Sequence, residues 1–182
     1  MSFITISIIV ISIIGTLSHF LYDITSHNKI IGLFTAVNES TWEHIKIALT
    51  PTLLWSLVDG YIYGSNPNYF LAKLVSLIII ILLMPIIYYG YQFILKREIA
   101  LFNIMSFYIV IICSQLAFNY LIRINSIEFI YNYLSCIGVF LIFGGYMIHT
   151  LLPAKNFIFK DPITDKYGFK GHRKKLIRSR NE

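Results

Sequence analysis

The side chains best suited to chemistry in this sequence are histidines and carboxylates at the ends of apolar segments. His19 and Asp23 are four residues apart, so they share one helix face if the helix continues through both. A carboxylate beside an imidazole fixes the tautomer of the ring and raises its basicity, as it does in metal sites. His44 and His149 stand at the ends of two other apolar segments. Because packed helix axes lie about 8–10 Å apart, imidazoles on three helices can converge at one depth.

The densest group of polar residues lies between Asn38 and His44. With the residues above, it defines a predicted polar cluster: His19, Asp23, Asn38, Glu39, Glu43, His44 and His149. Zinc accepts imidazole and carboxylate ligands and can leave one position open for water. One hypothesis is therefore a zinc site with ligands drawn from His19, His44, His149 and Glu39. The sequence has no H-E-x-x-H spacing. The alternatives are a hydrogen-bonded network that holds helix ends together and interfacial histidines that face the lipid head groups.

The stretch Ser40-Thr41-Trp42-Glu43 matches a capping box, which marks the start of a helix. In this motif the serine hydroxyl accepts from the main-chain N–H of Glu43, and the Glu43 carboxylate accepts from the main-chain N–H of Ser40. This interpretation explains Ser40 and Glu43 without catalysis. It leaves Asn38, Glu39 and His44 unexplained.

The composition predicts that membrane helices position these residues. The chain has 182 residues, of which 57% are hydrophobic and 13% charged, and its mean hydropathy is +0.69. Because soluble domains average about 25% charged residues, this composition excludes both a soluble globular domain and a disordered chain. The 2 cysteines are too few for a disulfide framework.

Five apolar segments are long enough to cross a bilayer, which takes roughly 20 helical residues. They are residues 3–22, 45–63, 70–95, 99–121 and 129–152. Strands are excluded because a membrane β-barrel alternates apolar and polar residues. The sequence therefore predicts an all-α, polytopic membrane protein. A five-helix transmembrane domain covers 1–152 and includes an interfacial loop over 23–44, and a basic tail covers 153–182.

Lysines and arginines predict the orientation of this bundle. Five crossings place the loop 23–44, the turn 96–98 and the tail on one side of the membrane. Of the 15 Lys and Arg residues, only Lys73 and Arg123 lie on the opposite side. The positive-inside rule therefore predicts an external N-terminus and a cytoplasmic C-terminus in a cell membrane.

The tail combines positive charge with aromatic residues. Its basic run KGHRKKLIRSR predicts attraction to anionic lipid head groups. The tail is short and carries no recognised motif, so we do not expect it to bind nucleic acid. Phe157, Phe159 and Tyr167 give residues 155–169 more apolar surface than a free linker needs. We expect this stretch to fold back against the helix ends near 36–44.

Asp59 and Arg123 are ionisable residues near the outer ends of two predicted spans. Ionisable side chains at membrane depth usually face the bundle and find partners there. We therefore predict that these two residues pair with each other. An ion or proton relay is the functional alternative.

Three stretches together carry a resemblance to a known family. They are Ser18-His19-Phe20-x-Tyr22-Asp23, Val37-Asn38-Glu39-Ser40-Thr41-Trp42-Glu43-His44-x-Lys46 and Asp161-Pro162-x-Thr164-x-x-Tyr167-Gly168. The chain resembles, over nearly its whole length, a family of small bacterial multi-pass membrane proteins known only as a domain of unknown function. The resemblance implies a bacterial membrane location and no established activity. It also suggests that His19, the 38–44 motif and the turn in the tail belong to one shared site.

Three functions are compatible with these features. The first, which the sequence favours, is a structural or accessory role in which the polar cluster serves stability alone. The second is a membrane-embedded, metal-dependent hydrolase that acts at the inner interface. The third is a small transporter with a polar path from Asp59 to the cluster.

Overall fold

The computed structural model describes residues 2–172 and is built from helices. The elements in chain order are α1 (Phe3–Ile24), α2 (Lys29–Gly32), α3 (Thr41–Tyr63), α4 (Tyr69–Leu95), α5 (Ala100–Arg123), α6 (Phe129–Leu151) and a 3-10 helix (Gly168–Gly171). The all-α class is confirmed, and one long helix coincides with each predicted apolar segment. Residues 173–182, and with them most of the predicted basic run, lie outside the described residues.

The helix boundaries follow local chemistry more closely than hydropathy. α3 begins at Thr41 rather than at 45, because Ser40 adopts the extended backbone of an N-cap, with φ −69° and ψ 155°. The predicted interfacial loop holds α2, which is capped by Asn28. Its Oδ1 accepts from the main-chain N–H of Ile30 at 2.9 Å. Polar residues therefore set helix starts that an apolar pattern alone places later.

Four helices, α1, α4, α5 and α6, are long and apolar enough to cross a membrane. Their outward faces expose large apolar side chains, for example those of Leu17, Leu82, Leu116 and Phe140. Soluble monomers rarely expose contiguous apolar surface on this scale. α3 differs because it carries Glu43, Lys46 and Asp59 and buries all three. The predicted count of five crossings therefore depends on α3.

Successive long helices run in opposite directions, so the bundle has two distinct ends. At one end Phe3, at the start of α1, packs against Tyr63, at the end of α3, with ring centroids 5.3 Å apart. At the other end His19 of α1 lies beside His44 of α3, with ring centroids 5.9 Å apart. We call this second end the histidine-rich end. It comprises the end of α1, residues 25–44, the end of α6 and residues 152–172.

α3 lies inside the bundle, in contact with α1, α4 and α5. The apolar core joins these helices through Ile11, Ile45, Ile47, Ala48, Leu49, Leu77, Ile80, Met84, Phe107, Val110 and Ile111. Gly15 lets α1 approach α3 closely, because a Cβ at this position would lie 2.7 Å from the main-chain oxygen of Ile47. The core therefore fills the bundle between its two ends.

Residues 153–172 fold back over the histidine-rich end, which confirms the predicted packing of 155–169 near 36–44. The main-chain N–H of Trp42 donates to the carbonyl of Ile158 at 2.9 Å. The Trp42 indole stacks on Phe159 with ring centroids 4.7 Å apart. Asp161, which is 1% exposed, accepts from the main-chain N–H of Glu39 at 2.9 Å. This C-terminal segment is therefore part of the fold.

Candidate functional site

The histidine-rich end contains a polar cleft between α1, the loop before α3 and the C-terminal segment. Its empty volume is about 680 Å³. The lining side chains able to act on a ligand are His19, Asp23, Asn38, Glu39, Asp161 and His172. All of these except Asp161 and His172 belong to the polar cluster predicted from the sequence.

Glu43 and Lys46, in the first two turns of α3, hold the loop that precedes this helix. Both residues are buried, and their side chains form an ion pair with 2.6 Å between Oε2 and Nζ. Glu43 Oε2 also accepts from the main-chain N–H of Val37 at 3.1 Å, and Lys46 Nζ donates to the Gly32 carbonyl at 2.8 Å. Additional hydrogen bonds of this kind offset the cost of burying the two charges. The pair therefore fastens the loop to the start of α3.

The predicted capping box is wrong in its hydrogen bonds, although Ser40 is the N-cap of α3. The Glu43 carboxylate accepts from Val37, and the main-chain N–H of Ser40 donates to Asn38 Oδ1 at 2.8 Å. Asn38 Nδ2 donates to the carbonyl of Gly168 at 2.9 Å. The side chain of Asn38 therefore joins the loop to the 3-10 helix, and tertiary partners replace the local ones that the motif predicts.

His19, Glu39 and His44 meet at one side of the cleft. Glu39 Oε1 lies 3.8 Å from His19 Nε2, and Glu39 Oε2 lies 3.9 Å from His44 Nε2. These separations are longer than hydrogen bonds. His44 Nδ1 lies 3.0 Å from the Ser40 carbonyl, which can only accept, so a neutral His44 ring carries its lone pair on Nε2. Glu39 therefore lies between the two imidazoles, where a small side-chain rotation would bring its carboxylate into contact with either ring.

His149 packs outside this set. Its Nδ1 donates to the main-chain carbonyl of Gly145 at 2.8 Å, and its ring stacks on Phe159 with centroids 5.4 Å apart. Trp42 completes the aromatic contact, with its ring centroid 5.6 Å from that of His149. The side chain therefore holds the end of α6 against the C-terminal segment, and it is not among the cleft-lining side chains.

A second group, at the mouth of the cleft, combines Asp23, His27 and His172. Asp23 Oδ1 lies 2.8 Å from His172 Nε2 and 3.2 Å from His27 Nε2. The two imidazole rings meet edge to face, with centroids 4.4 Å apart. One ligand atom from each residue lies within 4.8 Å of the other two. Small side-chain rotations would bring all three atoms onto one metal ion with bonds of about 2 Å.

The backbone around His27 is unusual. Ser26 and His27 have φ angles of 54° and 64°, in the left-handed region that residues other than glycine seldom adopt. The main-chain N–H of His27 donates to the carbonyl of Tyr22 at 3.0 Å, which turns the chain back over the end of α1. This turn brings the imidazole to Asp23. Backbone conformations of this kind are concentrated at functional sites.

Sequence reasoning pairs Asp23 with His19, four residues earlier, and leaves out His27 and His172. The i, i+4 relation also holds in the other direction, because His27 stands four residues after Asp23. That spacing is a usable signal for His27. A local pattern cannot predict His172, which is 149 residues from Asp23 in the sequence.

The opposite end of the bundle holds a buried ion pair that differs from the predicted one. Asp59 Oδ2 lies 2.5 Å from Lys73 Nζ, and Asp59 Oδ1 accepts from the Tyr69 hydroxyl at 2.8 Å. Arg123, the last residue of α5, has an exposed side chain. The predicted pair of Asp59 and Arg123 is therefore wrong, because the short connection from α3 to α4 brings Lys73 next to Asp59.

Buried apolar side chains occupy much of the bundle between this ion pair and the cleft. They include Ala48, Leu49, Leu77, Ile80 and Ile111, each of which is 0% exposed. A transporter needs a polar or water-filled path through such a region. Apolar packing within the described residues instead favours separate roles for the two polar regions.

The fold and the cleft define a class of protein: an all-α bundle with four helices apolar enough to cross a membrane and a polar cleft at one end. Within that class, the chain belongs to the family described as "Family of unknown function (DUF6512)", whose model matches residues 1–169. The match includes every residue that lines the cleft except Gly171 and His172. Comparisons with curated proteins and with solved structures find no match.

Proposed function

We propose that this chain is a five-span membrane protein that binds a divalent transition-metal ion, best matched by Zn²⁺, at the mouth of the cleft. Asp23, His27 and His172 supply the ligands. The observation that carries the proposal is the convergence of three ligand atoms, within 4.8 Å of one another. Asp23 and His27 lie four residues apart, and His172 comes from a part of the chain 149 residues away from Asp23. Imidazole and carboxylate ligands suit Zn²⁺, and three protein ligands leave a fourth position for water.

α3 is the fifth crossing in this proposal. Its 23 residues match the length of a bilayer-spanning helix, which is roughly 20 residues. Its first half is buried among other helices, which shield Glu43 and Lys46 from lipid. Its second half exposes apolar side chains, namely those of Leu54, Leu57, Val58 and Ile62. A membrane-spanning helix that is partly shielded by other helices contacts less lipid, so it can have a lower mean hydropathy than a helix at the edge of the bundle.

The distribution of basic residues supports the proposed orientation. Five antiparallel crossings put the histidine-rich end and the C-terminal segment on the side that carries most of the lysines and arginines. Lys73, on the opposite side, is paired with Asp59 inside the bundle, so it adds no free positive charge there. We therefore place the N-terminus outside and the cleft at the cytoplasmic face of a cell membrane.

The remainder of the cleft supplies a chemical role for the proposed metal ion. A metal-bound water has a lowered pKa and becomes a nucleophile near neutral pH. Glu39, between His19 and His44, is an acid–base group that lines the same cleft. The function that this arrangement supports best is metal-dependent hydrolysis of a polar substrate at the membrane interface.

The position of His172 in the C-terminal segment favours a second candidate function, an accessory role with a structural metal ion. His172 belongs to the C-terminal segment, whereas Asp23 and His27 belong to the end of α1 and the turn after it. A metal ion held by all three would fasten the segment to the bundle, as structural zinc sites stabilise small folds. In that role His19, Glu39 and His44 would serve stability alone.

Zinc binding by the detergent-purified, full-length protein tests the metal site. We expect one equivalent of Zn²⁺ per chain by elemental analysis, and a Co²⁺-substituted protein with the visible absorption of a tetrahedral site. The His27→Gln/His172→Gln variant should lose the ion. The matched control is His149→Gln, which also removes an imidazole from the histidine-rich end but one that stacks on Phe159.

Either of two results would overturn the proposal: wild-type protein that binds no zinc, or a double variant with unchanged zinc content. Limited proteolysis separates the two roles of the metal. Faster cleavage of residues 153–172 after zinc removal supports the accessory role. If cleavage is unchanged and the bound ion carries an exchangeable water molecule, the metal ion has the catalytic role of the proposed hydrolase.

A further inference from the structure

A second groove adjoins the 3-10 helix and has no lining residue in common with the cleft. It has an empty volume of about 1050 Å³ and extends from the end of α6 to residues 165–170. Its charged lining side chains are Lys155, Asp165, Lys166 and Lys170, and its apolar ones include Leu151 and Leu152. We call it the basic groove.

The basic groove carries a net positive charge. Asp165, the acidic residue among its lining side chains, is paired with Lys160, with 2.7 Å between Oδ1 and Nζ. Hydrogen bonding to Asp165 raises the pKa of Lys160 above its ordinary value. Because Asp165 is engaged by Lys160, the charges of Lys155, Lys166 and Lys170 are available to an anion. All three of these side chains are exposed.

The apolar wall of the basic groove belongs to a helix that is apolar enough to cross a membrane. Leu151 is the last residue of α6 and is 59% exposed, and the following Leu152 is 74% exposed. At the end of a membrane-spanning helix, lipid head groups lie next to the first carbons of the acyl chains. Lysines beside exposed leucines therefore match the two chemical parts of a phospholipid at this depth.

The backbone holds the basic groove in shape. Gly168 has a φ of +53°, and a Cβ at this position would lie 3.1 Å from Pro153 Cγ. The carbonyl of Gly168 also accepts from Asn38 Nδ2 at 2.9 Å. The chain therefore passes tightly over Pro153, and this fixes residues 166–170 against the end of α6.

We propose that the basic groove binds the phosphate head group of an anionic phospholipid, with Lys155, Lys166 and Lys170 around the phosphate. The acyl chains would then lie along Leu151 and Leu152. A lysine ammonium group binds phosphate as a point charge, so three of them suit a head group of variable orientation. The exposed leucines favour a lipid over a soluble phosphate compound. This site goes beyond the proposed metal site and shares no residue with it.

Lipid retention by the detergent-purified, full-length protein tests the basic groove. Native mass spectrometry would measure binding of dioleoylphosphatidylglycerol, with dioleoylphosphatidylcholine as the zwitterionic comparison and inorganic phosphate as the competitor. The Lys155→Gln/Lys166→Gln/Lys170→Gln variant should bind phosphatidylglycerol at least about tenfold more weakly than the wild type, because each lysine contributes to attraction at an anionic surface. The control Arg173→Gln/Lys174→Gln/Lys175→Gln removes the same charge and should weaken binding by less than about threefold.

Equal losses in the two triple variants would overturn the proposal, because diffuse attraction to the basic residues would then explain the binding. Equal retention of phosphatidylcholine would also overturn it. Displacement of the lipid by inorganic phosphate would identify a soluble phosphate compound as the ligand and would overturn the lipid assignment. Zinc content, which we expect to be unchanged in both triple variants, separates a failure of this proposal from a failure of the metal site. If the triple variant does not fold, lipid binding can be measured instead in the single variants Lys166→Gln and Lys170→Gln.

Discussion

Lys73 and Asp59 form an ion pair inside the bundle, with 2.5 Å between Nζ and Oδ2 and with each residue at most 1% exposed. The pair joins the end of α3 to the start of α4. The Tyr69 hydroxyl donates to the same carboxylate, and Lys73 Nζ lies 4.7 Å from the centroid of the Phe118 ring. These contacts offset the free-energy cost of removing two charges from water.

We predict that the Asp59→Asn variant loses about 3–5 kcal/mol of stability, because it leaves the Lys73 charge buried without its partner. The Asp59→Leu/Lys73→Met variant should regain most of this loss, since apolar residues of similar size can replace a buried pair. Arg123→Gln should change stability by only about 0.5 kcal/mol, as a surface substitution does. Thermal unfolding in detergent measures all three. A loss in Arg123→Gln as large as in Asp59→Asn would contradict the observed pairing.

Asp161 should control the docking of the C-terminal segment. Its carboxylate accepts from the main-chain N–H groups of Glu39 and Thr164, at 2.9 Å and 2.7 Å. The Asp161→Ala variant leaves these two donors without an acceptor, at about 1–3 kcal/mol each. Limited proteolysis within residues 153–172 should therefore become at least about tenfold faster.

Asp165→Asn is the matched control for this experiment, because asparagine tolerates the left-handed backbone of this position, where φ is 58°. The Asp165 side chain is 78% exposed, and its ion pair with Lys160 lies at the surface. Exposed ion pairs contribute about 0–1 kcal/mol, so cleavage of this variant should stay close to that of the wild type. Equal acceleration in the two variants would show that Asp161 does not hold the segment.

Two glycine substitutions should have opposite effects on the bundle. A Cβ at Gly15 would lie 2.6 Å from Phe107 Cζ and 2.7 Å from the Ile47 carbonyl oxygen, so Gly15→Ala forces α1 away from α3. We expect a loss of about 1–3 kcal/mol, as for other overpacked sites. At Gly144, in α6, a Cβ would have no neighbour within 4 Å. Gly144→Ala should therefore stabilise the helix by up to about 1 kcal/mol in the same unfolding assay.

The proposed topology predicts opposite accessibility for the two ends of the bundle. In a variant with Cys113 and Cys136 replaced by serine, Ser65→Cys should react with a membrane-impermeant maleimide added to intact cells. Lys29→Cys, which of the long helices only α3 separates from Ser65, should react only after the membrane is opened. Both native side chains are exposed in the structure, so burial does not limit the reaction. Labelling of both positions from the same side would contradict five crossings.

The sequence by itself determined the long helices of this protein. A run of about 20 apolar residues must satisfy its backbone hydrogen bonds internally in lipid, and a helix does so within the segment. Ser40 is also the N-cap of α3, as its residue type predicts, although its side chain makes no capping hydrogen bond. The aromatic residues of the tail also predict its packing onto the bundle, because exposed aromatic surface is costly in water.

The tertiary structure decided which partner each polar residue takes. Glu43 satisfies the spacing of a capping box, yet its carboxylate binds Lys46 and the main-chain N–H of Val37. Helical periodicity predicts which residues share a face, but it does not predict how neighbouring helices are rotated and shifted relative to one another. Nor does it predict the return of the chain that brings His172 to Asp23. Ion pairs and ligand groups depend on those relative positions within an ångström or two, and the packing of the whole bundle sets them.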